Sequence, residues 1–219
     1  MQSIWIIGAG KFGQKTACIL HKKHPNSKIT IIDKSNSVCS QLSNGPYKTI
    51  CMDGIDFLSY NLKESNLPDW IVPSIPIHVA YEWIIIKLEE KYNIETIKVP
   101  VQVAQGLPNV FKGDKGQIYC SNADFICPSN CNEPDKICTF TGKPRSRILY
   151  QTLKSIKYGD YNSVVIQSHQ LYPGVGGISP KDLFNALKTI KSSNHLVFLS
   201  TACSCHGVMH AFKVFRKKI

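Results

Sequence analysis

Short apolar runs alternate with amphipathic stretches along the first hundred residues. Apolar runs of strand length occur at residues 3–7, 29–32, 48–52, 70–72 and 95–99. Stretches with a helical repeat of apolar positions separate them, at residues 15–23, 35–43, 55–62 and 77–92. A strand–helix alternation of this kind predicts an α/β fold in which the strands form a parallel, doubly wound sheet.

The second half of the chain repeats the alternation once. An apolar run at 163–166, a helical stretch at 181–191 and a run at 196–200 predict a smaller βαβ unit over residues 163–210. Residues 117–144 carry prolines and glycines without a helical period, so we expect an inserted loop there. The pattern therefore predicts two α/β domains, residues 1–100 and residues 101–219.

A glycine-rich turn follows the first predicted strand. Gly8, Gly10 and Gly13 have the spacing of a dinucleotide-binding turn, with Lys11 and Phe12 between them. In such a turn the first glycine permits a tight bend, the second lets a pyrophosphate approach the backbone, and the third allows close packing of helix on strand. The N–H groups at the start of the helix then receive the phosphates.

An acidic residue stands where the second predicted strand ends. Asp33 lies twenty residues after Gly13, and a carboxylate there accepts hydrogen bonds from the ribose hydroxyls and repels a 2′-phosphate. We therefore expect NAD(H) rather than NADP(H), although the neighbouring Lys34 would suit a phosphate. A Rossmann-like domain without nucleotide, or one that binds an adenosine ligand such as S-adenosylmethionine, is the alternative.

Together with Asp53 and Gly54 after the third strand, these residues resemble the nucleotide-binding domain of Trk-type potassium-uptake regulators. The resemblance covers about residues 1–100 and implies a Rossmann-type fold, NAD(H) as ligand and a place for Asp53 near the nucleotide. It supports fold and cofactor better than potassium transport, because many dehydrogenases share the glycines.

The sequence departs from that resemblance after the fourth strand. Pro73 and Pro76 predict a rigid loop at the carboxyl end of the strand, where open α/β sheets bind ligands. This makes Pro73 a candidate cofactor contact. His78 either touches a substrate or the nicotinamide, or packs locally at the start of the helix, and we expect local packing.

Composition and charge narrow the classes of protein. The net charge is +11, and residues 139–219 supply most of it, with 12 Lys or Arg against Asp160 and Asp182. The basic residues are dispersed, which favours a solvated basic surface, an anionic ligand or an acidic partner over nucleic acid, and the tail 216–218 is most simply a solubilising end. No apolar run is long enough to span a membrane, so we expect a cytoplasmic protein.

Nine cysteines in a chain without a recognisable secretion signal favour thiols, metal ligands or redox chemistry over disulfides. Cys120, Cys127, Cys131 and Cys138 lie in the predicted loop, and Cys203 and Cys205 follow the last predicted strand of the βαβ unit. These six are candidate ligands of an iron–sulfur cluster or of zinc. The alternative is a set of buried small thiols.

Histidines accompany the second group of cysteines. His169 follows one predicted strand and His206 the next, and parallel pairing of those strands would bring both to one sheet edge with Cys205. We expect His169 to act as general acid or base, with Cys205 and His206 as further catalytic candidates. His206 and His210 have the spacing of one helix face, but packing is the better interpretation of His210. Residues 173–177, rich in glycine, suit either an anion-binding turn before a helix or a tight connection.

Three functions remain open from these residues. The first is an NAD(H)-dependent oxidoreductase with a cysteine-ligated metal or iron–sulfur site and a small, anionic substrate. The second is a regulator that senses NAD(H), redox state or metal and passes the signal to a partner. The third is a protein of metal handling or metal-cofactor assembly. A homodimer is compatible with all three.

Overall fold

The computed structural model describes residues 1–133, 136–145, 147–192 and 195–217. Residues 134 and 135 of the predicted loop and Lys218 of the basic tail lie outside this part. The strands are β1 (Ser3–Ile7), β2 (Lys28–Asp33), β3 (Lys48–Cys51), β4 (Trp70–Pro73), β5 (Tyr92–Ile97), β6 (Phe111–Lys112), β7 (Ile118–Ser121), β8 (Asn162–Tyr172), β9 (Val175–Ile178), β10 (Leu196–Ala202) and β11 (His206–Arg216). The helices are α1 (Lys11–Lys23), α2 (Asn36–Leu42), α3 (Gly54–Asn61), α4 (Val79–Glu89), α5 (Val101–Gln105), α6 (Leu149–Lys154) and α7 (Pro180–Ser192).

One sheet runs through the described part of the chain, in the order β3-β2-β1-β4-β9-β8-β10-β11-β7-β6. β1 to β4 are mutually parallel and give the order 3-2-1-4 of a Rossmann-type half. The predicted α/β class is confirmed, with a Rossmann-like parallel part followed by a second α/β region. The strand order reverses at β1, because β2 and β3 lie on one side of it and β4 lies on the other. The carboxyl ends of β1 and β4 therefore border the crevice where such sheets bind ligands.

The second region contains the predicted βαβ unit. β8 and β10 are parallel, with Leu199 opposite Val164, and α7 connects β9, the return strand of β8, to β10. α7 begins at Pro180 and has Asp182 in its first turn, where a rigid φ and an acidic side chain both favour a helix start.

The strand predicted at 95–99 has a different partner from the one expected. It forms β5, which pairs antiparallel with β11, for example through Ile94 and Val214. The prediction that it extends the N-terminal parallel sheet was wrong. Apolar periodicity identifies a strand but not its partner, and the long β11 offers an edge on which β5 and β7 both pair.

The glycine-rich residues 173–177 form a hairpin rather than a turn between strand and helix. Gly174 has a φ of +75°, and the chain returns as β9, antiparallel to β8. Ile178 of β9 also pairs with Ile71 of β4. The interpretation as an anion-binding turn at a helix start is therefore wrong, and the hairpin instead joins the N-terminal strands to the second region.

The core lies on both faces of the sheet. α3, α4 and α7 cover the face that includes Ile7 and Ile32, whereas α1 covers the face with Ile6 and Ile31. α5 and α6 cover the far part of the sheet around Phe198. Successive side chains of a strand point to opposite faces of the sheet, so neighbours such as Ile6 and Ile7 belong to different cores.

No helix in the described ranges combines the length and the hydropathy that crossing a membrane requires.

Candidate functional site

The glycine turn connects β1 tightly to α1. Gly8 has a φ of +104°, and its N–H donates to the Ile32 carbonyl oxygen at 2.7 Å. A Cβ at Gly13 would overlap the Gly8 carbonyl oxygen, so the helix lies directly on the turn. Around Gly10, no atom of the described chain lies within 4 Å of a Cβ position. This leaves space where a pyrophosphate would approach the backbone.

Asp33 at the end of β2 faces the same turn. One carboxylate oxygen accepts from the Ala9 N–H at 2.6 Å and the other from the Ser35 N–H at 2.9 Å. A carboxylate has about four acceptor positions, so capacity remains for ribose hydroxyls. The Lys34 side chain is exposed.

Asp53 has a local role at the start of α3. Its carboxylate accepts from the Ile55 N–H at 2.8 Å and from the Asp56 N–H at 3.3 Å, so it caps the helix. A contact between Asp53 and a nucleotide stays a prediction.

A cleft of about 390 Å³ opens at the carboxyl ends of β1 and β4. Its lining consists of Phe12, Thr16, Val72, Pro73, Ser74, Ile75, Pro76, Gly174, Val175 and Gly176. Pro73 thus lies in the cleft, and its contact with a cofactor stays a prediction; Phe12 is 67% exposed at the mouth of the cleft beside the exposed Lys11. The cleft occupies the crevice in which Rossmann-type sheets hold a dinucleotide.

Five thiols line two adjoining cavities next to this cleft. Cys127, Cys131, Cys138 and Cys205 border one of about 220 Å³. Cys127, Cys131 and Cys205 also border a second, of about 230 Å³, together with Cys203. The loop between β7 and α6 and the turn between β10 and β11 supply these residues, so the fold brings together five of the six predicted ligands.

Cys120 lies apart from the other five. It is 2% exposed on β7, within the core formed with Ile118 and Leu149. Its side chain alternates with those of its neighbours along a strand, which directs it into the core rather than toward the loop.

Backbone N–H groups point at two of the five sulfurs. Cys131 Sγ accepts from the Glu133 N–H at 3.4 Å, and Cys203 Sγ accepts from the N–H groups of Cys205 at 3.4 Å and His206 at 3.3 Å. Hydrogen bonds to the charged form stabilise a thiolate. Glu133 links the cysteine loop to the turn between β10 and β11, because its carboxylate accepts from the Ser204 N–H.

Without a ligand, most of these thiols are held in the protonated form. Burial raises the pKa of Cys203 to about 12 and that of Cys205 to about 11. Burial and the neighbouring Cys131 and Cys138 raise the pKa of Cys127. Cys138 differs, because hydrogen bonds from the Thr141 side chain and backbone lower its pKa. Metal ions replace thiol protons when they bind, so the apo pKa values do not exclude ligation.

Arg145 lines the first cavity with the four thiols. Its Nε and Nη1 atoms are buried, and neither has a hydrogen-bond partner among the described residues. The sequence analysis missed this residue. The available signal was the pair Arg145 and Arg147 directly after the predicted cysteine loop at 117–144.

The histidines divide between two places. His206 lies beside the thiols, with Nε2 3.6 Å from Cys127 Sγ and Nδ1 3.9 Å from Cys203 Sγ. Burial lowers its pKa. His169 is on β8, but its ring lies 5.3 Å from the Trp70 ring, whereas Ser168 and Gln170 from the same strand line the second cavity. The predicted parallel pairing of β8 with β10 is present, yet alternation turns the His169 side chain toward Trp70.

His78 and His210 form a buried pair between the two regions. Their Nδ1 atoms are 2.9 Å apart, and His78 Nε2 is 2.8 Å from Thr201 Oγ1. Tyr81 stacks on His210 at 3.7 Å between ring centroids. His78 therefore packs at the start of α4, and His210 packs on β11. The helix face suggested for His206 and His210 is wrong, because both belong to a strand.

The described residues include no group of three or more His, Cys, Asp or Glu placed to hold a metal ion. All nine cysteines are free thiols.

The cleft at β1 and β4 is in direct contact with the second thiol cavity. Phe12, Gly174, Val175 and Gly176 border both the cleft and the second cavity. The Cys131 carbonyl oxygen accepts from the Gly174 N–H at 3.0 Å and from Gln170 Nε2 at 2.7 Å. Lys15 Nζ on α1 donates to Ser129 Oγ at 2.8 Å. The cysteine loop is thus attached to the hairpin and to the helix that form the cleft.

Family models of known proteins match both parts of the chain. A family model described as the TrkA-N domain matches residues 4–61, so the N-terminal part is similar to a Trk-type, NAD-binding Rossmann domain. An uncharacterized protein from Archaeoglobus fulgidus is 29% identical over 222 residues, which cover 95% of this chain and 98% of that protein. No solved structure matches.

A second family model, described as "Uncharacterized protein, C-terminal domain", matches residues 80–215. This match covers more than half of the chain and contains all five thiols of the cavities. The protein therefore belongs to the family that this C-terminal domain defines, and here the domain follows a TrkA-N domain.

Proposed function

We propose that the protein is an NAD(H)-binding redox regulator that carries a cysteine-ligated iron–sulfur cluster beside the nucleotide. The observation that carries this proposal is the convergence of five thiols on two adjoining cavities, one of which shares part of its lining with the cleft at β1 and β4. A thiol-rich cavity at the ligand-binding edge of a Rossmann-type sheet places a second redox group within reach of the first.

Cys127, Cys131, Cys138 and Cys205 are the proposed ligands, because these four border the same cavity. A single zinc ion requires sulfur atoms about 2.3 Å from one centre, which demands closely clustered ligands. The described residues contain no such tight group. Four thiolates are the usual ligand set of an iron–sulfur cluster, and the proposal rests on this donor set and not on the spacing of the sulfur atoms.

The nucleotide ligands follow from the turn and the cleft. Gly8, Gly10 and Gly13 give the pyrophosphate access to the backbone, and the remaining acceptor capacity of Asp33 suits the ribose hydroxyls. Further contacts remain predictions for Lys11, Phe12, Lys34, Asp53 and Pro73.

Regulation fits the chemistry better than turnover. NADH gives up a hydride, which carries two electrons, whereas a cluster accepts electrons singly, and the cavities contain no described group that would divide the pair. Binding of the two groups can still be coupled, because the Cys131 carbonyl is bonded to the hairpin that lines the cleft. Coupling of this kind changes each affinity by the same factor.

The test begins with protein purified without oxygen and analysed for iron, acid-labile sulfide and visible absorption. We expect iron with sulfide and sulfur-to-iron charge-transfer absorption. The dissociation constant of NADH is then measured with oxidised cluster, reduced cluster and chelated protein. A change of roughly 5–150-fold between these states supports the regulator. Zinc alone, no metal, or equal affinities would contradict it.

An oxidoreductase is the second candidate. His206 lies between Cys127 and Cys203 in the cavity that shares Phe12 and Gly174 with the cleft, which supports proton transfer beside the nicotinamide. Cys205 borders the same cavity, whereas a role for His169 rests on the sequence alone. NADH consumption with small carbonyl substrates, lost in His206→Ala with NADH binding retained, would favour the enzyme. The anionic substrate, the homodimer and the cytoplasmic location remain predictions.

A metal-handling protein would show a different result in the same preparation. It would transfer its metal stoichiometrically to an apo acceptor, whereas a regulator would retain a tightly held cluster. The basis for this third candidate is only the exposure of the thiol loop, where Ile126 is 95% exposed.

A further inference from the structure

Two thiols outside the cavities lie next to each other at the end of β2. Cys39, on α2, donates from Sγ to the Asp33 carbonyl oxygen at 3.2 Å. The same oxygen accepts from the Met52 N–H at 3.0 Å, and Cys51 lies opposite Asp33 in the pairing of β2 with β3. The Cys39 sulfur thus meets the backbone next to Cys51 at one oxygen atom.

The Cys51 side chain also reaches α2. Its Sγ donates to Asn36 Oδ1 at 3.0 Å, and Asn36 lies three residues before Cys39, so the two share one side of the helix. Burial, and after it the Cys51 thiol, raise the pKa of Cys39 to about 11. The hydrogen bonds and the charge interaction therefore both identify Cys39 and Cys51 as neighbouring thiols.

The two thiols differ in their access to solvent. Cys51 is exposed, whereas Cys39 is buried, with 8% of its surface exposed. Cysteines that sense redox state are accessible to an oxidant and often stand next to a second thiol that completes a disulfide. Cys51 has the position of the first of these thiols and Cys39 that of the second.

We propose that Cys39 and Cys51 form a reversible disulfide and that this modification weakens the binding of NADH. A disulfide bond of about 2.05 Å would replace the hydrogen bonds of both sulfurs and draw α2 toward β3. The Asp33 carboxylate accepts from the Ser35 N–H at the start of α2, so a shift of the helix reorients the group expected to bind the ribose. The inference rests on the NADH binding of the proposed function and not on the cluster.

A small disulfide such as glutathione disulfide is the oxidant. The Cys51 thiolate attacks one of its sulfur atoms, the S–S bond breaks, and one glutathione leaves and takes up a proton. The mixed disulfide carries no charge on Cys51, which removes one obstacle to the ionisation of Cys39. Cys39 then loses its proton and attacks the Cys51 sulfur, and the second glutathione leaves. Two electrons thus pass from the two protein thiols to one glutathione disulfide.

The experiment equilibrates the full-length protein with mixtures of glutathione and glutathione disulfide. After an acid quench, N-ethylmaleimide blocks the free thiols, and mass spectrometry identifies the linked peptides. We expect a peptide that joins Cys39 to Cys51 and that dithiothreitol separates. The dissociation constant of NADH, measured by fluorescence titration, should rise at least roughly fivefold on oxidation and return on reduction. NADH should oppose disulfide formation by the same factor, because the coupling is reciprocal.

Cys51→Ser is the test variant, because it removes one sulfur from an exposed position and keeps a hydroxyl donor for Asn36. It should form no linked peptide and should bind NADH equally in oxidising and reducing mixtures. Cys18→Ser is the matched control, because Cys18 is an exposed thiol on α1. It should behave as the wild type does in both measurements.

The outcomes separate this inference from the proposed function. Glutathione on Cys51 without a linked peptide would overturn the disulfide. Equal NADH affinity of linked and reduced protein, or an affinity change that persists in Cys51→Ser, would overturn the effect on binding. Reduced wild-type protein that does not bind NADH would overturn the proposed function, and the linked peptide would then decide the disulfide by itself.

Discussion

The nucleotide turn and the thiol cavities lie side by side but are encoded in different ways. The turn is made of residues close together in sequence, from Gly8 to Asp33, and its geometry follows from backbone that only glycine permits. The cavities combine Cys127 and Cys131 with Cys205, which reaches them only because β10 and β11 bring its turn to the same edge. The first site thus depends on local conformation and the second on the complete sheet.

The largest effect on stability is expected from a substitution of Gly13. A Cβ there would overlap the backbone carbonyl of Gly8, which cannot move aside as a side chain does. We expect Gly13→Ala to lower the free energy of unfolding by more than about 3 kcal/mol, measured by urea denaturation.

Gly10→Ala is the matched control for that variant. Gly10 has a φ of −64°, which alanine adopts, and the position is open in the described structure. Stability should change by less than about 0.5 kcal/mol. The affinity for NADH should fall at least roughly tenfold, because the methyl group occupies the approach of the pyrophosphate. If Gly13→Ala lost as little stability as Gly10→Ala, the turn would be more pliable than its contacts indicate.

Cys205→Ser alters the thiol cavities and leaves the nucleotide turn intact. The substitution removes a thiolate of the cavity without touching the glycine turn, so we expect nearly complete loss of iron and sulfide with the NADH affinity of the apo protein unchanged. Cys18→Ser, on the exposed side of α1, should leave the metal content at the wild-type level. Retention of the cluster by Cys205→Ser would remove Cys205 from the proposed ligand set.

The buried histidines test how firmly the two regions are joined. Burial lowers the pKa of His210 to about 4 and that of His78 well below its usual range. In the unfolded chain both titrate near pH 6.5. The stability that the two neutral imidazoles contribute is therefore fully present above about pH 6.5, and it is lost as the pH falls toward 4, because the unfolded chain then binds more protons. The expected loss is about 1.4 kcal/mol per pH unit for each imidazole.

His210→Phe keeps a ring next to Tyr81 and removes one of the two groups that titrate. The acid dependence should become about half as steep between pH 6.5 and 5, in urea denaturation at several pH values. Identical dependence in the variant and the wild type would mean that other groups control the acid sensitivity.

Asp33→Asn probes the selectivity of the nucleotide side. An amide keeps one acceptor for the Ala9 N–H but loses the charge that attracts the ribose hydroxyls. We expect roughly a tenfold loss of NADH affinity and a smaller difference between NADH and NADPH, both measured by fluorescence titration. An unaltered preference for NADH would move the selectivity to another residue.

The smallest expected effect concerns the link between the two sites. Lys15→Met removes the hydrogen bond from α1 to Ser129, which is exposed and contributes less than about 1 kcal/mol to stability. If this link carries the coupling, the difference in NADH affinity between oxidised and reduced cluster should shrink. Coupling of wild-type size in the variant would assign it to the contacts of Cys131 with Gly174 and Gln170.

The same contrast explains what sequence could predict. The strand, glycines, helix and Asp33 are contiguous, and each has a conformational reason, so the nucleotide turn was predictable. The thiol site was predictable only as a set of residue types. Cys120 looks like its neighbours in sequence but belongs to the core, and the partner of β5 and the hairpin at Gly174 depend on pairing across the sheet. The position of Arg145 beside the thiols depends on a cavity that forms only in the folded protein, so the sequence did not indicate it.

The return strand β9 also covers one edge of the N-terminal parallel strands. It lies against β4, which would otherwise end the parallel strands with an unpaired row of N–H and C=O groups and the apolar residues Ile71 and Val72. Exposed strand edges of this kind pair with other copies of the same chain and lead to aggregation. A fragment cut at residue 100 would expose that edge, so we expect such a fragment to aggregate where the full chain does not.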